Sequence, residues 1–444
     1  MGNLIYDRYL NPLFGSRGCQ KGVLEGRKAP KMTEPNPDPP SPLGSRNFLL
    51  FVSSRTANVI GVQILTVAVG WHVYQLTRDP LDLGYVGLAQ FAPALLVFLP
   101  AGLVADCFDR RLILAICNLF HLLAVGLLLI VLWEGIGGVY AIFAILSLHG
   151  TARAFFHTAG QAILPNLVDV SAFPRAVAYA SSANKLAQLV GPALGGMLIA
   201  WTDNGAYFTT VGMFALAGVT ALLITGALQV RTTEPIGVMS FLGGFTYVWR
   251  NKVVLGAISI DLLAVLMGGV MGLLPIYASD ILRVGAEGLG VMRSMPAVGS
   301  LIIALVLARI VSPRHMGPTL FIALGVFGVS IVVFSLSKVF WLSLLALTIY
   351  GAADMVSVYI RLTLVQIATP DSMRGRVSSV NSVSINASNE LGDFRAGMSA
   401  ALLGTVPAVL IGGLVTLGVT ALWMRLFPSI HRIDRFNSAG SGNR

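Results

Sequence analysis

Long apolar segments recur along almost the whole chain, and they constrain this sequence more than any other feature. A helix crosses the roughly 30 Å hydrocarbon core of a bilayer with about 20 apolar residues, and such segments recur between residues 46 and 427. Hydrophobic residues make up 55% of the 444 residues and charged residues only 11%, whereas a soluble domain carries about 25% charged residues. The sequence therefore predicts an all-α membrane protein. It excludes a soluble enzyme, a disordered chain and a nucleic-acid-binding domain.

Twelve transmembrane helices are predicted, in two groups of six. The first group comprises 48–74, 84–104, 112–133, 139–164, 176–201 and 206–228. The second comprises 255–276, 291–310, 318–336, 340–364, 377–403 and 406–426. These groups predict two six-helix bundles, 46–228 and 255–427. Residues 1–45 are predicted to be a disordered cytoplasmic extension, and residues 428–444 a cytoplasmic tail. Residues 229–254 are predicted to be a cytoplasmic linker that contains an interfacial helix at 241–250. Met32 precedes the Pro-rich run of the extension and is a second candidate for the translation start.

The distribution of Lys and Arg predicts the orientation in the membrane. A net charge of +10 fits either a nucleic-acid partner or the charge bias of a membrane protein. The positions of the Lys and Arg residues decide between these two explanations. With both termini in the cytoplasm, 21 Lys and Arg residues fall on the inner side, and the outer loops hold only Arg78, Arg283, Arg293 and Lys338. This bias follows the positive-inside rule. We therefore expect a multi-pass protein of the cell membrane, with both termini cytoplasmic and no nucleic acid as partner.

The two halves of the sequence share residues at a constant offset of 201 positions. The matched pairs are Gly150 and Gly351, Arg175 and Arg376, Gly191 and Gly392, and Gly196 and Gly397. One offset that runs through helices four, five, ten and eleven is what two parallel six-helix repeats give. The bundles are therefore predicted to be pseudo-symmetric.

The segment between helices two and three carries a loop motif, Gly102-Leu-Val-Ala-Asp-Cys-Phe-Asp-Arg-Arg111. It resembles the signature of the major facilitator superfamily at Gly102, Ala105, Asp106, Arg110 and Arg111. The resemblance implies the major facilitator fold, with 12 transmembrane helices in two pseudo-symmetric bundles. It also implies a gating loop, in which Gly102 permits close helix packing and Asp106 faces the N-terminus of helix eleven and pairs with Arg110. An ordinary charged inner loop is the alternative.

Helix five contains Gly191, Pro192, Gly195 and Gly196, which resemble the antiporter motif of the efflux branches of that superfamily. Pro192 removes a backbone donor and bends the helix, while the glycines let another helix approach. Generic close packing is the alternative interpretation. The segments 161–168, 359–377 and 388–397 are similar to the enterobactin-exporter-like, drug:proton antiporter type.

Ionisable residues inside the predicted spans are the candidate functional groups, because each costs about 2.5–3.5 kcal/mol at a helix centre and should face a cavity or the bundle interior. The candidates for proton coupling are Glu390, Asp354, Asp393 and Asp261. The candidates for the cavity and substrate are Arg55, Asn58, His149, Arg153, Lys185, Asn386, Asn389 and Arg361. Interhelical pairs that only hold the halves together are the alternative for any one of them.

The charges inside the spans are distributed unequally between the halves. Arg55, Arg153 and Lys185 have no acid beside them in the first half, while the second half holds all four acids. Unpaired cations in a low-dielectric interior are costly, so either these acids or an anionic substrate must compensate them. We favour pairing, with Asp354 as the partner expected for Arg153.

The remaining motifs exclude several classes of protein. The sequence has no phosphate loop, no catalytic motif and no spacing of its three cysteines that suits a disulfide framework or a metal. We therefore predict no cofactor, no metal and no catalytic residue. The predicted function is a proton-coupled secondary active exporter of small amphipathic molecules that works by alternating access, as a monomer. A siderophore-like anion exporter and a proton-coupled importer are the alternatives within transport, and a membrane enzyme is the alternative outside it.

Overall fold

A computed structural model describes residues 41–225, 238–309 and 315–431. Most of the predicted extension with Met32, residues 229–237 of the predicted linker and residues 432–444 of the predicted tail lie outside this description. In the described ranges the regular structure is helical, and no strand occurs.

Twelve long helices follow one another along the chain. The first six are α1 (Arg46–Thr77), α2 (Pro80–Cys107), α3 (Arg110–Glu134), α4 (Gly138–Ile163), α5 (Phe173–Trp201) and α6 (Gly205–Leu222). The second six are α7 (Lys252–Ile281), α8 (Gly285–Leu307), α9 (Met316–Leu336), α10 (Phe340–Ile367), α11 (Asp371–Leu403) and α12 (Thr405–Leu426). Ten of the described helices have the length and hydropathy of a membrane span. The other two long helices, α5 and α11, are more polar.

Polar residues at the short turns start several of these helices. Asp79 accepts a hydrogen bond from the Leu81 amide at 2.8 Å and is followed by Pro80 at the first position of α2. Asn251 accepts from two amides at the start of α7. A side-chain acceptor at this position satisfies amides that have no partner within the helix. These caps explain why turns of one to three residues are enough to separate several of the long helices.

Glycines at equivalent positions of the two halves make equivalent close contacts within each bundle. A Cβ at Gly150 of α4 would lie 2.1 Å from the Gln90 carbonyl oxygen of α2. A Cβ at Gly351 of α10 would lie 2.0 Å from the Pro296 carbonyl oxygen of α8. Lipid gives no hydrophobic force between helices, so small residues that allow close contact hold such bundles together. The fold is the predicted pair of pseudo-symmetric six-helix bundles.

The two bundles touch each other through two symmetry-related helix pairs. A Cβ at Gly196 of α5 would lie 2.8 Å from Cα of Gly290 in α8, and a Cβ at Gly397 of α11 would lie 2.9 Å from Cα of Gly84 in α2. All four glycines lie in the halves of their helices remote from the chain termini. At that same end the guanidinium of Arg78, which directly follows α1, lies 3.2 Å from a carboxylate oxygen of Asp280 in α7. The bundles are therefore closed together at the end opposite the termini.

A short helix, Val238–Arg250, precedes α7 and packs on the C-terminal bundle. The Tyr247 hydroxyl donates to the Ala368 carbonyl at 2.8 Å, and a Cβ at Gly244 would lie 2.7 Å from the Arg376 carbonyl oxygen. This helix thus lies at the end of the molecule that carries the termini.

One predicted boundary is wrong in a way that affects the site. Helix eight was expected from residue 291, which left Arg293 close to an outer loop, but α8 begins at Gly285. Arg293 therefore lies about 12 Å along the helix from its start, at 1.5 Å per residue. It is an intramembrane residue rather than a loop cation.

Candidate functional site

A cavity of about 450 Å³ lies between the two bundles at mid-length of the helices. Its polar lining residues are Arg55, Asn58, Gln63, Thr66, Gln90, Arg153, His157, Asn184, Gln188, Arg293, Tyr350, Asn389, Glu390 and Asp393. Lys185 of α5 and Asn386 of α11 are not among the lining residues and are exposed. Because the bundles are in contact at the other end, the cavity opens toward the end that carries the termini.

An ion pair joins the two bundles across this cavity. An Nη atom of Arg153, on α4, donates to Oε1 of Glu390, on α11, at 3.0 Å. The side chain of Arg153 is 40% exposed and that of Glu390 is 18% exposed, so solvent reaches the arginine and the pair is only partly screened. The sequence favours Asp354 as the acid for Arg153. The structure gives Arg153 a different partner, Glu390.

Helix α7 is broken beside the cavity, and two charged residues of α11 contact the break. The regular α-helix ends at Gly268 and a short 3-10 turn begins at Met271. Asp393 accepts a hydrogen bond from the Gly272 amide at 3.0 Å, and Arg395 donates to the Leu266 carbonyl at 2.9 Å. Broken backbone inside a membrane needs such partners, and interrupted helices are typical of transporter binding sites.

Arg293 is a cavity residue that the sequence analysis missed. It projects from α8 into the lining, and the carboxylates of Asp393 and Glu390 both act on it electrostatically. In the sequence it lies close to a predicted outer loop, so no pattern there marks it as an intramembrane residue. The two acids that compensate it lie on a different helix, α11. The C-terminal bundle therefore contains three arginines within the spans, not two, since Arg293 joins Arg361 and Arg395, but of these three Arg293 alone is among the described lining residues of the cavity.

The N-terminal wall is formed largely by one face of α1. Arg55, Asn58, Gln63 and Thr66 line the cavity there, and Arg55 and Asn58 are two of the candidates from the sequence. Asn58 donates to Oδ1 of Asn118 on α3 at 2.8 Å, which fixes the Asn58 amide within the bundle.

His149 lies away from the cavity lining. Its Nδ1 lies 2.9 Å from Nδ1 of His121 on α3, and both rings are fully buried, at 1% and 0% exposure. The ring of His121 stacks on Phe214 at 5.0 Å. His149 was expected among the cavity residues, but the structure places it in a polar contact inside the N-terminal bundle.

Two more candidates form a structural contact away from the cavity lining. Arg361 on α10 and Asp261 on α7 form an ion pair inside the C-terminal bundle, where both are buried. A buried acid that holds an arginine is poorly placed to exchange protons with a cavity. Asp354, half-buried on α10, is also outside the lining, and the charge of Lys185 acts on it. Asn389 does line the cavity, whereas Asn386 donates to the Ser382 carbonyl of its own helix.

The glycines of the motif in α5 make close contacts with two different neighbouring helices. A Cβ at Gly191 would lie 2.6 Å from Gln63 Cβ on α1, and one at Gly195 would lie 3.2 Å from Ile64 Cα on the same helix. Gly196 instead faces α8, as does the Pro192 carbonyl, which would lie 2.6 Å from a Cβ at Gly290. The motif therefore brings α5 close to α1 on one side and to the opposite bundle on the other.

The loop motif is tied to its own bundle in this conformation. Arg110 donates to the Ala162 carbonyl at 2.7 Å, and Arg111 contacts Asp109 at 2.6 Å and the Ile224 carbonyl at 3.2 Å. No described atom outside its own helix turn lies within 4 Å of a Cβ built at Gly102. Asp106 belongs to α2, but its side chain lies outside the description.

The sequence profile of the transmembrane secretion effector family, of the major facilitator type, matches residues 38–441. The chain belongs to this family. It is 28% identical over 408 residues to the multidrug efflux pump Tap of Mycolicibacterium fortuitum, covering 87% of this chain and 97% of that protein. It is 24% identical over 366 residues to the enterobactin exporter EntS of Escherichia coli, covering 80% and 84%.

The fold has solved relatives at low sequence identity. A bacterial homologue of the human lysosomal transporter Spinster, in an inward-facing and occupied conformation, superposes with a TM-score of 0.64 at 13% identity. The match covers 86% of this chain and 95% of that chain. This transmembrane secretion effector is thus a multi-pass membrane transporter with the major facilitator fold, and not an enzyme. Its relatives support an efflux role at modest identity.

Proposed function

We propose that this protein is a proton-coupled secondary active exporter of the plasma membrane, which moves a small amphipathic molecule out of the cell as protons enter. The observation that carries the proposal is the ion pair between Arg153 and Glu390 in a cavity between two bundles. The relatives named as an efflux pump and an enterobactin exporter support the outward direction. The termini, by the distribution of Lys and Arg, lie in the cytoplasm.

Glu390 is the proposed proton carrier, and the sign of its effect agrees with export. With cytoplasmic termini, the present conformation opens to the cytoplasm. Because Glu390 lines this cavity, its proton would leave toward the cytoplasm, and the carboxylate that remains contacts Arg153 across the cavity. A ligand shifts a two-state equilibrium only by its different affinity for the two states, and a proton on Glu390 meets that condition because it weakens a contact between the bundles.

Asp393 is the second candidate, with a different role. Its contact with the Gly272 amide ties its charge to the break in α7. A proton there would weaken the hydrogen bond at the break, so Asp393 would change the shape of α7 rather than the contact between the bundles. Asp261 and Asp354, outside the cavity lining, are the weaker candidates.

Everted membrane vesicles test the proposal, with ethidium, dansyl-leucine and dansyl-leucinamide as cationic, anionic and neutral probes. We expect energised vesicles to accumulate at least one probe and an uncoupler to abolish the accumulation. Glu390→Gln should lose this uptake while the purified variant still binds the probe. Glu287→Gln, which changes an exposed acid in the first turn of α8, is the matched control and should retain uptake.

Three results would contradict the proposal. Energised uptake that is undiminished in Glu390→Gln removes that residue as the proton carrier. Wild-type vesicles that accumulate none of the probes argue against export. Gradient-driven uptake that occurs only in right-side-out vesicles would favour the importer instead.

A further inference from the structure

Arg55 is an uncompensated cation in the cavity. It projects from α1, about 14 Å from the start of the helix at 1.5 Å per residue, and lines the cavity half-buried. Among the described residues, no hydrogen bond or ion pair joins its guanidinium to another group. Its charge acts on His157, on α4, which is another nitrogen base rather than an acid.

Among the charged side chains that line the cavity, Arg55 is the arginine in excess of the carboxylates. Three arginines and two carboxylates face the space. Arg153 pairs with Glu390 at 3.0 Å, and Arg293 is compensated by Asp393. An unpaired charge away from bulk water is costly, and the excess positive charge of the cavity favours a bound anion.

A second group in the same cavity lacks a partner. The side-chain oxygen of Asn184, on α5, is buried and makes no hydrogen bond to any described residue. A buried acceptor left unpaired costs about as much as a lost hydrogen bond, so it calls for a donor from a bound molecule. Val59, Val62 and Phe156 line the same cavity and supply an apolar surface.

We propose that Arg55 binds the carboxylate of an amphipathic organic acid, and that Asn184 accepts a hydrogen bond from an N–H or O–H of the same molecule. The planar guanidinium matches a carboxylate with two parallel hydrogen bonds, and the valines and Phe156 contact the apolar body. The inference rests on the proposed function, because it names the class of molecule that the transport cavity takes. It assigns recognition to the N-terminal wall and leaves the proton to the C-terminal wall.

Binding to the purified full-length protein in detergent, with no gradient, tests this assignment. Dansyl-leucine and dansyl-leucinamide have the same apolar body and N–H, and they differ in the carboxylate. We expect the wild type to bind the carboxylate at least about tenfold more tightly than the amide, the size of a charge-assisted hydrogen bond. Arg55→Gln should remove this preference and Arg55→Lys should retain part of it. Arg425→Gln, which removes an exposed cation at the end of α12, should keep it.

The outcomes separate this inference from the proposed function. Equal binding of the two probes by the wild type, or a preference that survives in Arg55→Gln, would overturn it while uncoupler-sensitive export still stands. A lipid headgroup is the other source of an anion for Arg55. Displacement of dansyl-leucine by phosphatidylglycerol but not by phosphatidylcholine would assign the site to lipid and overturn the transported acid.

Discussion

At the scale of single residues, the partner of Arg153 shows what a sequence repeat can and cannot predict. Asp354 occupies the position that corresponds to Arg153 at the 201-residue offset, so symmetry suggests that the two are related. Symmetry places them at equivalent points of α4 and α10, and it does not bring them into contact. The acid that reaches Arg153 is Glu390 of α11, which a pattern confined to one helix cannot reveal.

A double-mutant cycle on Arg153 and Glu390 measures this pair. We expect Arg153→Gln and Glu390→Gln each to lower thermal stability in detergent, and the double variant to lose less than the sum. The coupling free energy should be about 1–2 kcal/mol, between the values of exposed and of fully buried pairs. The same cycle on Arg153 and Asp354 is the control, and a larger coupling there would restore the partner that the sequence favours.

At the scale of helices, the break in α7 depends on α11. Asp393 binds the amide side of the break and Arg395 the carbonyl side. An acid near the start of a helical turn and a base near the end of one also suit the helix dipole. The sequence predicts one continuous helix here, 255–276, because the pair Gly268-Gly269 does not by itself end a helix in an apolar segment. The contacts of Asp393 and Arg395, which lie on a different helix, explain the break.

Asp393→Ala and Asp393→Asn separate the structural contribution of this residue from its charge. The alanine variant leaves the Gly272 amide without its acceptor, and a buried unsatisfied donor costs about 1–3 kcal/mol. The asparagine variant keeps an acceptor oxygen. We therefore expect a clear drop in thermal stability for the first variant and a small one for the second. Equal drops in both would show that the charge, and not the hydrogen bond, stabilises the break.

The contact of α5 with α8 predicts how the conformational equilibrium can be moved. A Cβ at Gly196 would lie 2.4 Å from the Ala286 carbonyl oxygen, so Gly196→Ala must separate the bundles where they now touch. We expect a severalfold shift toward the state in which the cavity opens at the end opposite the termini. A cysteine at Thr66, in a background without the native cysteines, reports this shift because a reagent added at that end then labels it.

Gly212→Ala, where a Cβ meets no described atom within 4 Å, is the matched control for that experiment. Labelling from the end opposite the termini should rise in Gly196→Ala alone. Unchanged labelling in Gly196→Ala would mean that this glycine pair does not hold the bundles together.

At the scale of the whole molecule, the sequence predicts the architecture well and the pairing of charges poorly. Apolar length, glycine spacing and the repeat are properties of single segments, and they lead to twelve helices in two bundles. The acids of α11 that compensate Arg293, and the contact between His149 and His121, belong to helices that are remote in sequence. These contacts are fixed by the packing of the bundles, which a pattern within one segment does not contain.

The orientation of the molecule in the membrane follows from charge and is directly testable. If the positive-inside bias governs insertion, a fluorescent protein fused after Arg444 should mature in the cytoplasm, and alkaline phosphatase at the same place should be inactive. A fusion of the phosphatase within the turn between α3 and α4, at Gly137, is the control and should be active. The reverse pattern would place the open end of the cavity on the outer side and reverse the proposed direction of proton release.

Proton movement during transport tests the central claim most directly. The protein is reconstituted with a pH-sensitive dye inside the vesicles, and a gradient is imposed of the probe that energised vesicles accumulate. We predict that wild-type protein moves protons opposite to the probe. Glu390→Gln should exchange the probe across the membrane without any change in internal pH. Probe movement without proton movement in the wild type, or an equal proton flux in Glu390→Gln, would contradict the account.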